Sequence, residues 1–392
     1  MWWDAPVDLR DLPRVVWVLA ASRFVGSATA FVFLFLTLYL TGPRDLSAPR
    51  AGLVAGVVGV ALLVGNLTGG RWGDRLGHRR VLLAASSVGA AVLMSVPWLP
   101  VWLMVLALPV AAYLSAVGQV STGALTALAM PRGDRRTAVA LGRAASNAGF
   151  VVGPLLGALV VTWSYEAMFV LDGLAVLLIR LALSRALPVE PPRAEASPGP
   201  GMLRAVRGDR SLVVLLVGVV LVDVVYRQLY TTLPLHLRDC GAPVGLYAVV
   251  IAVGSGLILL LEIPVTQRLR GRSSYPVIAV GYALVGVGTV LFALPVTVLA
   301  VVVAMVVLTA GEILYKTTAT AHVLDAAPEH LVGQYQGLYS GASTSGMMLA
   351  GPIGTAIYAA APGLLWPVMG LVALVAAGCV LLSSARQDVR VQ

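Results

Sequence analysis

Long apolar runs broken by short polar connections dominate this chain, and they restrict it to one solvent. The stretch from Pro100 to Pro131 contains no charged residue at all. Across 392 residues, 59% are hydrophobic and only 11% are charged, with a mean hydropathy of +0.90. A water-soluble fold of this length needs far more charge to cover its surface. A bilayer core takes roughly 20 apolar residues per helix, so the runs amount to about a dozen spans. Membrane β-barrels show short alternating segments instead, and are a poor match to this pattern.

Bounded by charge, Pro or Gly, the first six spans are predicted at 14–41, 50–70, 80–98, 101–130, 138–162 and 165–184. A Pro-rich polar stretch follows, with Pro188, Pro191, Pro192, Pro198 and Pro200, and reads as a linker. Six further spans are predicted at 211–236, 243–267, 275–294, 296–324, 333–360 and 362–384. The expected organisation is a six-helix bundle over 1–184, a cytoplasmic linker over 185–210 and a second six-helix bundle over 211–392. The first run is too long, and too like its successors, to be a cleavable signal. Cys240 and Cys379 are expected near opposite membrane faces, with no disulfide framework. The histidines His78, His236, His322 and His330 form no ligand motif.

Charge placement gives an orientation. With both termini and the linker cytoplasmic, only Arg44, Arg50 and Arg238 fall outside. Arg23, Arg143, Arg227 and Lys316 fall within the membrane, which leaves 20 of the 27 Lys and Arg on the cytoplasmic side. The acids outside are Asp45, Glu166 and Asp239; those inside the membrane are Asp172, Asp223, Glu262 and Glu312. Exterior and interior charges balance, so the net +9 sits on the cytoplasmic face, as positive-inside topology requires. This placement explains a pI near 9.9 without a nucleic-acid partner.

The two halves echo one another at an offset of about 195 residues. Arg71-Trp-Gly-Asp-Arg75 after span two has a weaker counterpart in Gln267-Arg-Leu-Arg-Gly-Arg272, and Gly153-Pro154 has one in Gly351-Pro352. Four motifs stand out. Gly70, Gly73, Asp74, Arg75, Gly77, Arg79 and Arg80 form a glycine and Asp-Arg loop directly after span two. Its glycines permit a tight turn, and its arginines can meet Asp74 or helix C-terminal carbonyls. In span five, Arg143 and Asn147 precede Gly149, Gly153 and Gly157, which recur every four residues and let a neighbouring helix approach. Pro154 in the same run permits a bend. Span ten carries Gly311-Glu312, and Gly333-Gln-Tyr-Gln-Gly337 opens span eleven.

On these residues the chain resembles the major facilitator superfamily, and within it the twelve-helix drug/proton antiporter branch, over essentially its whole length. The resemblance implies an all-α membrane protein, with twelve transmembrane helices in two pseudo-symmetric six-helix bundles around a central cavity. It also implies that the loop after span two is a conformational latch and that span five carries an antiporter-type motif. One departure concerns helix four, where proton-coupled relatives often place an arginine. Here Gln119 is the most polar long side chain.

Ionisable groups within hydrocarbon need a partner or a task. In the fold so implied, helices one, four, seven and ten line the cavity, and they carry Arg23, Gln119, Asp223, Arg227, Glu312 and Lys316. Asp223 and Arg227 are four residues apart, as are Glu312 and Lys316, so each pair shares a helix face. Tyr226, Tyr230 and Tyr315 lie beside them, suited to stacking or hydrogen bonding. Glu312 and Asp223 are the candidate proton carriers; the competing reading makes both pairs static salt bridges. Arg23, Gln119, Tyr226, Arg227, Tyr230, Tyr315 and Lys316 are the candidate substrate contacts. Arg23 is suited to an anionic group or to a carboxylate partner. Arg143 and Asn147 share a face of helix five, with Asp172 or Glu262 as candidate partners.

The expected function is proton-driven efflux of a small amphiphilic compound or drug by alternating access, from a bacterial inner membrane, as a monomer. A small solute, protons and the bilayer are the expected partners. No cofactor or metal is expected, and no phosphate-cradling loop for ATP is present. Two alternatives remain: a proton-coupled uptake symporter for a metabolite, and a non-transporting receptor or enzyme on the same scaffold. The last is disfavoured, because no nucleophile stands with a base and no metal-ligand cluster is present.

Overall fold

A computed structural model describes residues 9, 12–132, 134–187 and 209–391. The proposed linker therefore falls largely outside the described residues. Among them there are fourteen α-helices and no strand. They are α1 (Arg14–Ala28), α2 (Phe31–Thr41), α3 (Ala48–Leu76), α4 (His78–Ser95), α5 (Val101–Leu128), α6 (Arg135–Trp163) and α7 (Tyr165–Ala186). After the linker come α8 (Arg210–Thr231), α9 (Leu233–Asp239), α10 (Val244–Arg268), α11 (Ser274–Leu291), α12 (Val298–Ala326), α13 (Val332–Ala360) and α14 (Pro362–Val391).

Ten of these are individually long and apolar enough to cross a membrane. The first predicted span is instead split into α1 and α2. Thr29 ends α1 by donating both its amide and its hydroxyl to the Val25 carbonyl, each at 3.0 Å. The buried Asp172 then accepts a long hydrogen bond, 3.4 Å, from Val32 N in the first turn of α2. Such a turn otherwise leaves its amides unpaired in hydrocarbon. The eleventh span is α13, whose apolar character is diluted by Gln334, Gln336, Ser340, Ser343, Thr344 and Ser345. A second break falls at Thr232, just before Pro234 opens α9. There the Thr232 hydroxyl turns back to Gln228 Oε1 at 2.9 Å. Prolines within α5, α6, α10, α13 and α14 leave those helices continuous.

The surface is that of a chain dissolved in lipid. Leu53, Leu260 and Leu299 are each more than 70% exposed, which water would punish and hydrocarbon does not. Trp98, Trp102 and Trp163 are also exposed; they sit at helix ends, where indoles favour the membrane interface.

The chain divides into two compact units. The first holds α1–α7 together with Ala326–Gly341; the second holds α8–α12 and everything described from Ala342 onward. In the first unit α6 packs on α1 through glycines. A Cβ at Gly149 would stand 2.7 Å from Ser27 Cβ and 2.9 Å from Ala28 N, and one at Gly153 would stand 2.9 Å from Ser27 O. The second unit repeats this arrangement. A Cβ at Gly346 of α13 would stand 2.7 Å from Val220 O and from Asp223 Cβ of α8, and Gly354 faces Gln228. Gln228 completes the seam by donating to Ala350 O at 3.0 Å.

Candidate functional site

Helices α8, α12 and α13 of the second unit assemble a buried ionic cluster. Glu312 and Lys316 are one turn apart on α12, and Lys316 Nζ lies 3.2 Å from Glu312 Oε1. The same ammonium lies 3.9 Å from Asp223 Oδ1 on α8. One cation therefore faces two carboxylates, of which Asp223 is 1% and Glu312 3% exposed. Tyr315 Oη donates to Asp223 Oδ1 at 2.8 Å, and the Ser343 hydroxyl of α13 donates to Oδ2. The absence of a side chain at Gly346 brings α13 close enough for that second bond.

Aromatic rings surround the cation. Lys316 Nζ stands 3.8 Å from the centroid of Tyr226 and 5.9 Å from that of Tyr315, within cation–π range. Tyr226 and Tyr230 meet edge to face with hydroxyls 3.3 Å apart. Tyr226 is buried, whereas Tyr230 is exposed.

Sequence spacing alone suggests a salt bridge between Asp223 and Arg227, and among the described residues there is none. Asp223 turns toward its donors on α12 and α13. The Arg227 guanidinium instead lies over Tyr226 and Tyr230, at 6.0 and 5.8 Å from their centroids, and Asp223 reaches it only as a neighbouring charge. Glu262 of α10 accepts a hydrogen bond from the Thr317 hydroxyl, beside Lys316. Ser343 and Gly346 both bear on the cluster, yet no pattern in the sequence singles them out.

In the first unit, Arg23 of α1 extends along α6. Its Cδ and Nε would stand 3.2 and 3.3 Å from a Cβ at Gly142. The charged neighbour acting on it is a second guanidinium, Arg143. Asn147 Nδ2 donates to the Arg143 carbonyl at 2.9 Å. Gln119 is exposed on α5, with its amide 3.5 Å from the Ser115 hydroxyl. Of the acids weighed as partners for helix five, Asp172 accepts from Val32 N and Glu262 from the Thr317 hydroxyl.

The glycine and Asp-Arg loop closes α3 onto α4 with one residue, Gly77, at φ +91°, a conformation that only glycine adopts without strain. Asp74 Oδ1 accepts from Gly333 N and Oδ2 from Gln334 N, both at 2.9 Å. These amides belong to the first turn of α13, so the carboxylate caps that helix from outside and meets the positive end of its dipole. His78, fully buried, places Nε2 3.1 Å from Asp74 Oδ1. Gly73 and Gly333 leave room for the imidazole, and Gly70 lies against the backbone at Gly333 and Gln334. Arg79 donates to the Ser184 carbonyl in the last turn of α7 at 2.6 Å, while Arg75 and Arg80 are exposed. His78 is absent from the residues singled out by motif, although its position four after Asp74 is the available signal.

Comparison with known proteins places this geometry in context. The family model described as Major Facilitator Superfamily matches residues 16–352. An uncharacterised MFS-type transporter of Bacillus subtilis, YttB, is 24% identical over 354 residues, covering 87% of each chain. Multidrug resistance protein MdtG of Erwinia billingiae is 31% identical over 175 residues, covering 42% of each. Among solved structures, the human organic anion transporter MFSD10 superposes with a TM-score of 0.77 at 15% identity, covering 94% of this chain and 99% of that one.

Proposed function

The chain belongs to the Major Facilitator Superfamily, a family of small-solute transporters and not of enzymes, and we propose that it exports a small amphiphilic organic compound in exchange for protons. It works by alternating access, as a monomer in a bacterial inner membrane, with both termini in the cytoplasm. Two observations favour export over uptake. The helix-five glycines and Pro154 make up the antiporter-type stripe, of which Gly149 and Gly153 seat on α1, and the partial relative MdtG is named for multidrug resistance.

The observation that carries proton coupling is the single ammonium of Lys316 facing both Asp223 and Glu312. With Arg227 as a further neighbouring charge of Asp223, two carboxylates and two cations balance, so withdrawing one cation leaves a negative charge that a proton cancels. Asp223 has hydroxyl donors on both oxygens and acts as the fixed member. Glu312, one turn from Lys316, is the carrier. When solute binding or helix movement draws Lys316 away, Glu312 loses its counter-charge and takes a proton instead. Tyr226, Tyr230, Tyr315 and Arg227 offer ring faces and a guanidinium to the solute. The capping of α13 by Asp74 is the latch that holds one state.

Everted membrane vesicles test this reading. On energisation they accumulate a toxic compound to which cells carrying the protein are resistant, and release protons as they do so. Glu312→Gln, inserted at normal levels, abolishes the accumulation. Equal accumulation by the variant removes Glu312 as carrier; accumulation only in right-side-out vesicles reverses the direction.

A further inference from the structure

Arg23 is a membrane-embedded cation with a buried donor that has no acceptor. It lies in the α1–α6 seam, between the buried Ala20 and the Ser27 contact with Gly153. Its Nε is buried without a hydrogen-bond partner, and among the described residues it makes no hydrogen bond or ion pair. Arg227 shares the first of these features but has Asp223 as a charged neighbour of opposite sign. The charge acting on Arg23 has its own sign, since Arg143 lies one residue beyond Gly142 on the helix it packs against. A cationic donor nitrogen buried without an acceptor in low dielectric is costly. An oxyanion answers that demand, since it accepts the planar donors of arginine.

We propose that Arg23, seated against Gly142 and beside Arg143, binds the oxyanion of the transported solute, which makes the substrate class an amphiphilic organic anion. This rests on the transport reading above and narrows it. Gly142 acts as a positioning residue, because its missing side chain is what admits the arginine stem.

The test measures thermal midpoints of the full chain, purified in neutral detergent, against aromatic probes of one size and different charge: benzoate, benzenesulfonate, benzamide and benzylamine. The two anions raise the midpoint in a saturable way, and the neutral and cationic probes do not. Arg23→Gln weakens anion binding by about tenfold, the loss of one charge-assisted contact. Arg23→Lys retains part of it. Gly142→Ala, which leaves both charges in place, weakens it several-fold by moving the guanidinium. Failure of both anions to bind, or equal effects from all four probes, overturns the proposal. Unchanged anion affinity in Arg23→Lys and Gly142→Ala does so as well, even where Arg23→Gln does not fold. An anionic lipid could supply the same chemistry. Stabilisation by phosphatidylglycerol that depends on Arg23, with none from benzoate, therefore assigns the site to lipid and also overturns the proposal. The transport reading fails separately. Anion binding that depends on Arg23 without driven transport in vesicles leaves this inference standing, whereas driven transport of anion and cation alike in Arg23→Gln sinks it alone.

Discussion

Lys316 is the only lysine in the chain, and its ammonium stands within 4 Å of two carboxylates and one aromatic centroid. Removing one partner from a buried ionic group leaves the others uncompensated, at a cost of about 3 kcal/mol. Lys316→Met is therefore expected to lower the thermal midpoint of the purified protein markedly, because Asp223 and Glu312 then face each other's charge. The second change Glu312→Gln restores most of that loss. Additive losses in the double variant, with no rescue, would show that the three groups do not act as a unit. At this scale the sequence is readable wherever partners lie on one helix. The spacing of Glu312 and Lys316 predicts their contact, and it occurs. The same spacing fails for Asp223 and Arg227, because helical register states only that two residues share a face. It says nothing of stronger donors on other helices. Tyr315 and Ser343 lie 92 and 120 residues from Asp223, and they take the carboxylate that proximity assigns to the arginine.

Helices in lipid gain little from hiding apolar surface, so what distinguishes one neighbour from another is how closely two backbones can come. The α1–α6 seam shows this. Gly149 and Gly153 bring Phe24, Ser27 and Ala28 of α1 so near that an added methyl meets backbone atoms, which cannot swing aside as a side chain end can. Gly149→Ala is thus expected to cost about 1–3 kcal/mol through overpacking, seen as a lower midpoint and a poorer yield of folded protein. Gly256→Ala on α10, where nothing lies within 4 Å of the added carbon, provides the control and leaves both unchanged. Equal effects at the two positions would refute the assignment of the stripe to close packing. Elements were the most readable scale in the sequence, since span length and apolarity are imposed by the bilayer. The breaks were not. The gap at Thr29 has no proline to announce it, and five interior prolines leave their helices unbroken. Whether a helix bends or stops depends on what satisfies the freed backbone groups. For α2 part of that comes from Asp172, on a helix more than a hundred residues away.

At the scale of the whole molecule, α13 is the element that the two units share: Val332–Gly341 belongs to the first and the remainder to the second. The motif after span two marks Asp74 as one half of the proposed latch. The other half is a pair of backbone amides at Gly333 and Gln334, and amides leave no trace in a sequence, which is why only half of the device could be read there. A carboxylate at a helix N-terminus contributes about 1 kcal/mol, somewhat more when partly buried. An energy of that size shifts a two-state equilibrium by roughly fivefold. Asp74→Asn keeps the side chain's size and one acceptor oxygen but loses the charge, so the protein should still fold while spending less time latched. Spin labels at Arg80 and Arg272, both exposed, in a background with Cys240 and Cys379 replaced by serine, report the change as a redistribution between separations. Gly333→Ala offers an independent route to the same state. Its methyl presses on Asp74 Oδ1 at 2.8 Å and on the His78 ring, opening the cap with every charge retained. If both variants populate the same second separation, the cap is what holds the first. An unaltered distribution in both would mean that Asp74 merely finishes a helix, and that the state of the carrier is set elsewhere.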